Sequence, residues 1–319
     1  MNIGVSQKWR WVSGACQKQS VVLNNGWQLG LLATSIFLGI AFPALAAFFK
    51  PFLLPLIFLL FLTAVLQVSF NDAAHAAVKD HAGWVALLWQ LLILPLLFFV
   101  ALKPILSEQL HLFAVVSMCT GAITATTALS RLFGLNSPLS LVVCIAGAVL
   151  MPVPLYIFLS ILGNTVQLDL LAYVVRILVF IALPFFVVFC IRKLISPETD
   201  IRLQQKMPHV ALLLLVFFGL AVMDGVGELM FSDPQRLLSY ILLAFGLSAG
   251  VQLLSYYALG FLGRRDATTI ALLCAYRNVG LVAAIAGSSL GQDFFIFLGV
   301  WQLPMYILPW LLRRFYQLN

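Results

Sequence analysis

The chain has 319 residues, of which 63% are hydrophobic and only 9% charged, and its mean hydropathy is +1.06. A soluble domain carries roughly 25% charged residues, so this composition excludes an ordinary soluble enzyme or binding module and indicates a polytopic, all-α membrane protein. The 18 Lys and Arg exceed the 11 Asp and Glu by a net +7, an excess that in such a chain sets topology and is not the footprint of a nucleic-acid partner.

Residues 1–26 are polar and basic, with Lys8, Arg10, Lys18, Trp9 and Trp11. They lack the short apolar core and small-residue cleavage site of a signal peptide and read as a cytoplasmic tail or a surface-lying amphipathic segment. A transmembrane domain follows over 27–312, with ten apolar spans predicted at 27–48, 51–69, 83–102, 109–130, 138–163, 167–191, 209–228, 236–262, 267–289 and 293–312. Most approach or exceed the ~20 residues a helix needs to cross a bilayer. Pro95 in the third span, Pro152 and Pro154 in the fifth, Pro184 in the sixth, and Pro304 and Pro309 in the tenth mark bends. Gln90 sits five residues before Pro95 in an apolar span and reads equally as a helix–helix hydrogen bond or as part of a site. Arg176, in the sixth span, reads as a structural charge that snorkels or pairs with Asp169 or Asp224.

Two spans are chemically unusual. The fourth contains TGAITATTALS at residues 120–130, whose threonines either line a site or bond back to helix carbonyls. The ninth carries Tyr276-Arg277-Asn278 at its middle, followed by Gly280 and small residues through Gly287. An arginine at mid-membrane costs at least ~2.5–3.5 kcal/mol, and the Asn278 amide must find partners there. This helix is therefore expected to lie inside the protein and to break near Arg277. The competing reading is a structural arginine paired with a carbonyl or carboxylate.

Threading the spans with the N-terminus inside places thirteen Lys and Arg on inner segments and three (Lys50, Lys103 and Arg236) on outer ones. That bias predicts ten spans with both termini cytoplasmic. Two five-span halves then have opposite topology, as in inverted-repeat transporters whose sites lie at the midplane on broken helices. The polar spans four and nine occupy matching places in the two halves, although no internal sequence identity is visible. The five cysteines (Cys16, Cys119, Cys144, Cys190, Cys274) lie singly, without metal or disulfide spacing. No P-loop, G-x-S-x-G or H-E-x-x-H motif occurs, so ATP drive and an intramembrane enzyme are not expected. No cofactor, catalytic residue or metal site is expected either.

Three stretches resemble the bile acid:sodium symporter family. Trp89–Pro95 (WQLLILP) is similar to its third-helix segment, with Gln90 at the position of the family's glutamine. Thr124-Ala125-Thr126-Thr127 resembles its fourth-helix crossover motif, continued by Asn136, Leu139 and Ser140. Tyr276-Arg277-Asn278-Val279-Gly280-Leu281 resembles its ninth-helix motif. The resemblance implies a fold in which helices 4 and 9 break and cross. It also implies a core of spans 3–5 and 8–10 and a panel of spans 1, 2, 6 and 7 that moves against that core. In sodium-coupled members the crossover supplies sodium ligands. Here the family's sodium-binding glutamate falls on Leu273 and its glutamine on Arg277, and no acidic residue occurs in 267–289.

The sequence therefore predicts a secondary transporter in a bacterial inner membrane. It moves a small organic anion by alternating access, without sodium coupling. Its binding residues are expected to be Arg277, Asn278, Thr124, Thr126, Thr127 and Gln90, and its partners only the anion and the lipid bilayer. Arg277 either pairs with a substrate carboxylate or permanently replaces the missing sodium. The alternatives are a transport-inactive sensor or scaffold that keeps the fold, and a sodium-coupled organic anion symporter.

Overall fold

The structure is a computed structural model and describes residues 26–67, 81–162 and 169–316. The N-terminal tail, apart from Gly26, lies outside the described residues. Every regular element among the described residues is helical. In chain order these are α1 Gly26–Ala41, α2 Pro43–Leu66, α3 His81–Leu102, α4 Glu108–Met118, α5 Ala125–Leu132, α6 Ser137–Leu150 and α7 Pro152–Ile161. Then follow α8 Leu170–Leu194, α9 Pro197–Val222, α10 Val226–Ser232, α11 Pro234–Ala258, α12 Arg264–Ala275, α13 Val279–Ala286, α14 Gln292–Leu311 and α15 Arg313–Tyr316.

Short polar side chains fix where several helices start. Ser107, Asn136, Asp169, Ser196 and Asp233 each accept a hydrogen bond from a backbone N–H of the first turn of α4, α6, α8, α9 and α11, satisfying donors that a helix start leaves free. The cap at Ser196 starts α9 well before the apolar window predicted at 209–228, so the polar run Pro197–Lys206 is helical too. The boundary between the first two predicted spans also moves. Helix α1 stops at Ala41 and α2 starts at Pro43, leaving Phe42 at φ −124, ψ 79, because a residue before proline is pushed out of the helical region.

Helices α2, α3, α8, the α9–α10 unit and α11 are each long and apolar enough to cross a membrane, and α6 with α7, bent by 47°, makes a sixth span. The chain is therefore a multi-pass membrane protein. The expected count of ten requires α1, α14 and the broken pairs α4/α5 and α12/α13 to be counted as well.

The helices pack as two groups. Helix α9 lies along α1 and α2, with α8 on α2; α11 lies along α12 and α14, and α6 touches α3, α5 and α12. Close approach is bought by small residues where membrane helices meet. At Gly121, a Cβ would stand 2.6 Å from the Gly147 carbonyl carbon, so only glycine lets the chain after α4 press onto α6.

Candidate functional site

Two helices stop inside the protein and restart. Helix α4 ends at Met118 and α5 begins at Ala125; α12 ends at Ala275 and α13 begins at Val279. The first gap falls just ahead of the threonine run, so Thr126 and Thr127 sit in the first turn of α5 and not in the break. Irregular backbone at membrane depth is tolerated only where protein satisfies it, and here the two gaps satisfy each other. The Ile123 N–H donates to Tyr276 O and the Asn278 N–H to Gly121 O, each at 2.9 Å. Ala122 and Arg277 face one another as a single antiparallel bridge.

Arg277 is fully buried and its guanidinium is held by backbone carbonyls. Nε donates to Cys274 O at 2.9 Å. Nη1 donates to Thr120 O at 2.6 Å, Gln90 O at 3.0 Å and Met118 O at 3.3 Å. The local sequence explains why these oxygens are available. Cys274 and Met118 lie in the last turns of α12 and α4, whose final carbonyls have no intrahelical donor. Thr120 lies in the gap. Gln90 belongs to a π-helical turn, Trp89–Ile93, in which the Leu94 N–H reaches Trp89 O. The next N–H in that pattern would reach Gln90 O, but residue 95 is proline and has none. The Gln90–Pro95 spacing thus frees one carbonyl for the guanidinium. Two helix C-termini, each equivalent to roughly −0.5 charge, also face the arginine and offset its charge. Arg277 Nη2 and Gln90 Oε1 have no protein partner. Replacing Pro95 with alanine supplies the missing N–H and competes for Gln90 O. The expected outcome is a several-fold fall in transport with an unchanged or raised melting temperature, read by uptake and thermal unfolding in parallel.

Beside this crossover lies a cavity of about 300 Å³ between the two helix groups. Its walls are apolar, with Ile57, Phe61, Leu212, Leu215, Phe218 and Met305, and its polar groups include Thr124, Thr127, Asn278, Thr63, Gln67 and Arg131. The first residues of α5 and α13 line it, so two positive helix ends face the space. Beyond Phe218 the chain is sealed: Ala221, Val222 and Met223 are buried and α9 meets α14. At the other end Gln67, Arg131 and Pro208 stay partly exposed.

A family model described as the sodium bile acid symporter family matches residues 54–233, more than half of the chain. The chain belongs to the sodium bile acid symporter family. No curated protein matches it. Family membership and the apolar helices make it an integral membrane transporter. The matched stretch holds Gln90, the first break, α5 and most of the cavity wall; the second break, with Arg277, lies beyond it.

Within this family member the six residues expected to bind substrate divide into two sets. Thr124, Thr127, Asn278 and part of Arg277 line the cavity. Thr126 and Gln90 are fully buried behind it. Thr126 Oγ1 donates to Ile123 O and lies 3.1 Å from Cys144 Sγ, while Thr127 Oγ1 lies 3.5 Å from Ser140 Oγ. Asn278 Oδ1 accepts from the Leu281 N–H and so starts α13. Arg176 pairs with neither Asp169 nor Asp224; its Nη1 donates to Ala286 O at the end of α13, and Asp224 pairs with Lys50 at 2.6 Å. No group of His, Cys, Asp and Glu among the described residues could hold a metal ion. Sequence reasoning placed Arg131 among loop charges and missed that it faces the cavity. The seven-residue spacing from Thr124 on a helix was the signal that could have found it.

Proposed function

We propose that this protein carries a small organic anion across the membrane by alternating access, and that sodium takes no part. On this reading the helices form ten spans in two inverted five-span repeats. Helices α1, α2, α8 and α9 act as the panel and the remaining spans as the core, with both termini cytoplasmic in a bacterial inner membrane. The cavity between panel and core then faces the cytoplasm through its Gln67–Arg131 end.

The observation that carries the proposal is the position of the Arg277 guanidinium among four carbonyl oxygens. Carbonyl oxygens are the donors a hard cation takes, so the tethered positive charge stands where a coupling cation would otherwise complete the crossover. The carboxylate such a cation would need is absent, since Leu273 is fully buried at the corresponding place. Through Nε and Nη1 Arg277 supports the crossover, and the helix N-termini of α5 and α13 favour an anion in the cavity beside it.

The test is uptake into proteoliposomes of labelled organic monoanions, ω-hydroxyoctanoate among them, in sodium, potassium or choline. Saturable uptake of at least one anion, equal in the three salts within about twofold, is expected. A saturable sodium requirement overturns the uncoupled mechanism, and no uptake of any anion overturns the transport reading itself.

A further inference from the structure

We propose that the first half of α8 is a latch tying panel to core on the sealed side of the cavity, with the π-helical turn behind it as its hinge; this rests on the alternating access proposed above and names the contacts that part when the sealed side opens. The two halves of α8 pack on different partners. The second half, Leu183–Leu194, lies along α2, and Arg192 Nη2 donates to Leu66 O at 3.1 Å, next to Gln67 at the open end. The first turns, Leu170–Ile177, lie on α13, which belongs to the core. Two side chains there reach core carbonyls. The hydroxyl of the buried Tyr173 donates to Pro152 O, at the start of α7, at 2.6 Å. Arg176 Nη1 donates to Ala286 O at 3.1 Å. At a spacing of three residues the two share one face of α8. Arg176 precedes Arg192 by 16 residues, about 24 Å along a helix, so both bonds lie away from the open end.

The sequence places a weak point between the two halves. Leu178–Ala182 is a π-helical turn in which the Leu183 N–H reaches Leu178 O. The next N–H in that pattern would reach Val179 O, but residue 184 is proline and has none. Helices bend where their hydrogen-bond ladder is interrupted in this way, so the first half of α8 can swing while the second stays on α2. The bonds themselves suit release. Ala286 is the last residue of α13, where a cation complements the helix dipole. Among the described residues no carboxylate forms an ion pair with Arg176. Each of the two bonds ends on a carbonyl and is exchanged for a bond to water once the sealed side opens, which makes the latch reversible.

The experiment introduces Val222→Cys, buried at the sealed end, or Thr63→Cys, on the cavity wall, into wild type, Tyr173→Phe, Arg176→Gln and Arg176→Lys. It measures the reaction of each purified protein with a water-soluble thiol reagent, with melting temperature and anion uptake alongside. Tyr173→Phe should speed the reaction at residue 222 and slow it at residue 63, each by roughly threefold to tenfold, the worth of one neutral hydrogen bond. Arg176→Gln should do the same by roughly 10-fold or more, since its bond is charge-assisted, and Arg176→Lys by less. The proposal is overturned if the rates in Tyr173→Phe and Arg176→Gln match wild type, whatever their melting temperatures. It is also overturned if both reporters speed up together, the mark of a side chain that merely packs the fold. Uptake separates the two readings: either result in a chain that transports removes the latch alone, whereas a wild type that takes up no organic monoanion loses the transport reading and the latch with it.

Discussion

Arg277→Ala is expected to remove transport and to lower the melting temperature by several degrees. The variant leaves the oxygens of Gln90, Met118, Thr120 and Cys274 without their shared donor, and each stranded buried polar group costs about 1–3 kcal/mol. Relief from burying a charge, at least ~2.5–3.5 kcal/mol at mid-membrane, offsets only part of that loss. Arg277→Lys keeps a charge but cannot span four acceptors from one ammonium, so it should fall between. The sharper form of the experiment restores the ion. Leu273→Glu with Arg277→Gln recreates a carboxylate beside the vacated carbonyls. This double variant is expected to bind sodium, so that its melting temperature rises with sodium and not with choline, by the mass action of a ligand that binds only the folded state. Wild type should show no such difference. A double variant that folds but is indifferent to sodium would refute the idea that the guanidinium stands in for a cation.

Much of this arrangement was legible in the sequence, because membrane burial makes polar residues expensive and so conspicuous. Arg277 in an apolar span announced both an interior helix and a break, and Thr124–Thr127 marked the partner break to within a few residues. The Gln90–Pro95 spacing was visible, but its meaning was not. The glutamine side chain does make a helix–helix hydrogen bond, one of its two expected roles, with Nε2 donating to Thr120 O at 3.4 Å, but Pro95 and the π-helical turn also make its backbone carbonyl an acceptor for Arg277. Side-chain reasoning also could not separate the two roles open to Arg277, since those depend on which carbonyls lie nearby. Three of its four acceptors belong to residues 90, 118 and 120, more than 150 positions away. Arg131 was lost to topology: a basic residue near a helix end reads as a cytoplasmic charge, and only the fold shows that the cavity it lines lies between α5 and the walls from α2 and α9.

The same packing predicts how the conformation can be shifted. The sealed end of the cavity is held where α14 crosses the end of α9, and Gly299 makes that crossing possible. A Cβ at residue 299 would lie 2.5 Å from Val222 O and 3.1 Å from Val226 Cγ2. The first contact is backbone and cannot turn aside. Gly299→Leu therefore opposes this conformation by about 1–3 kcal/mol, the usual range for overpacking. On the alternating access proposed above, a conformation in which α14 separates from α9 escapes the clash, and the equilibrium should move toward it by roughly 5- to 150-fold. Two cysteine reporters read the shift. Val222→Cys, 2% exposed at the sealed end, should react faster with a membrane-impermeant thiol reagent once Gly299→Leu is present. Thr63→Cys, on the cavity wall, should react more slowly as that side closes. Transport should fall at least tenfold, because turnover needs both conformations. Opposite changes at the two positions are the signature of alternation, since a substitution that merely loosened the fold would raise both rates, and that result would remove Gly299 from the transport cycle.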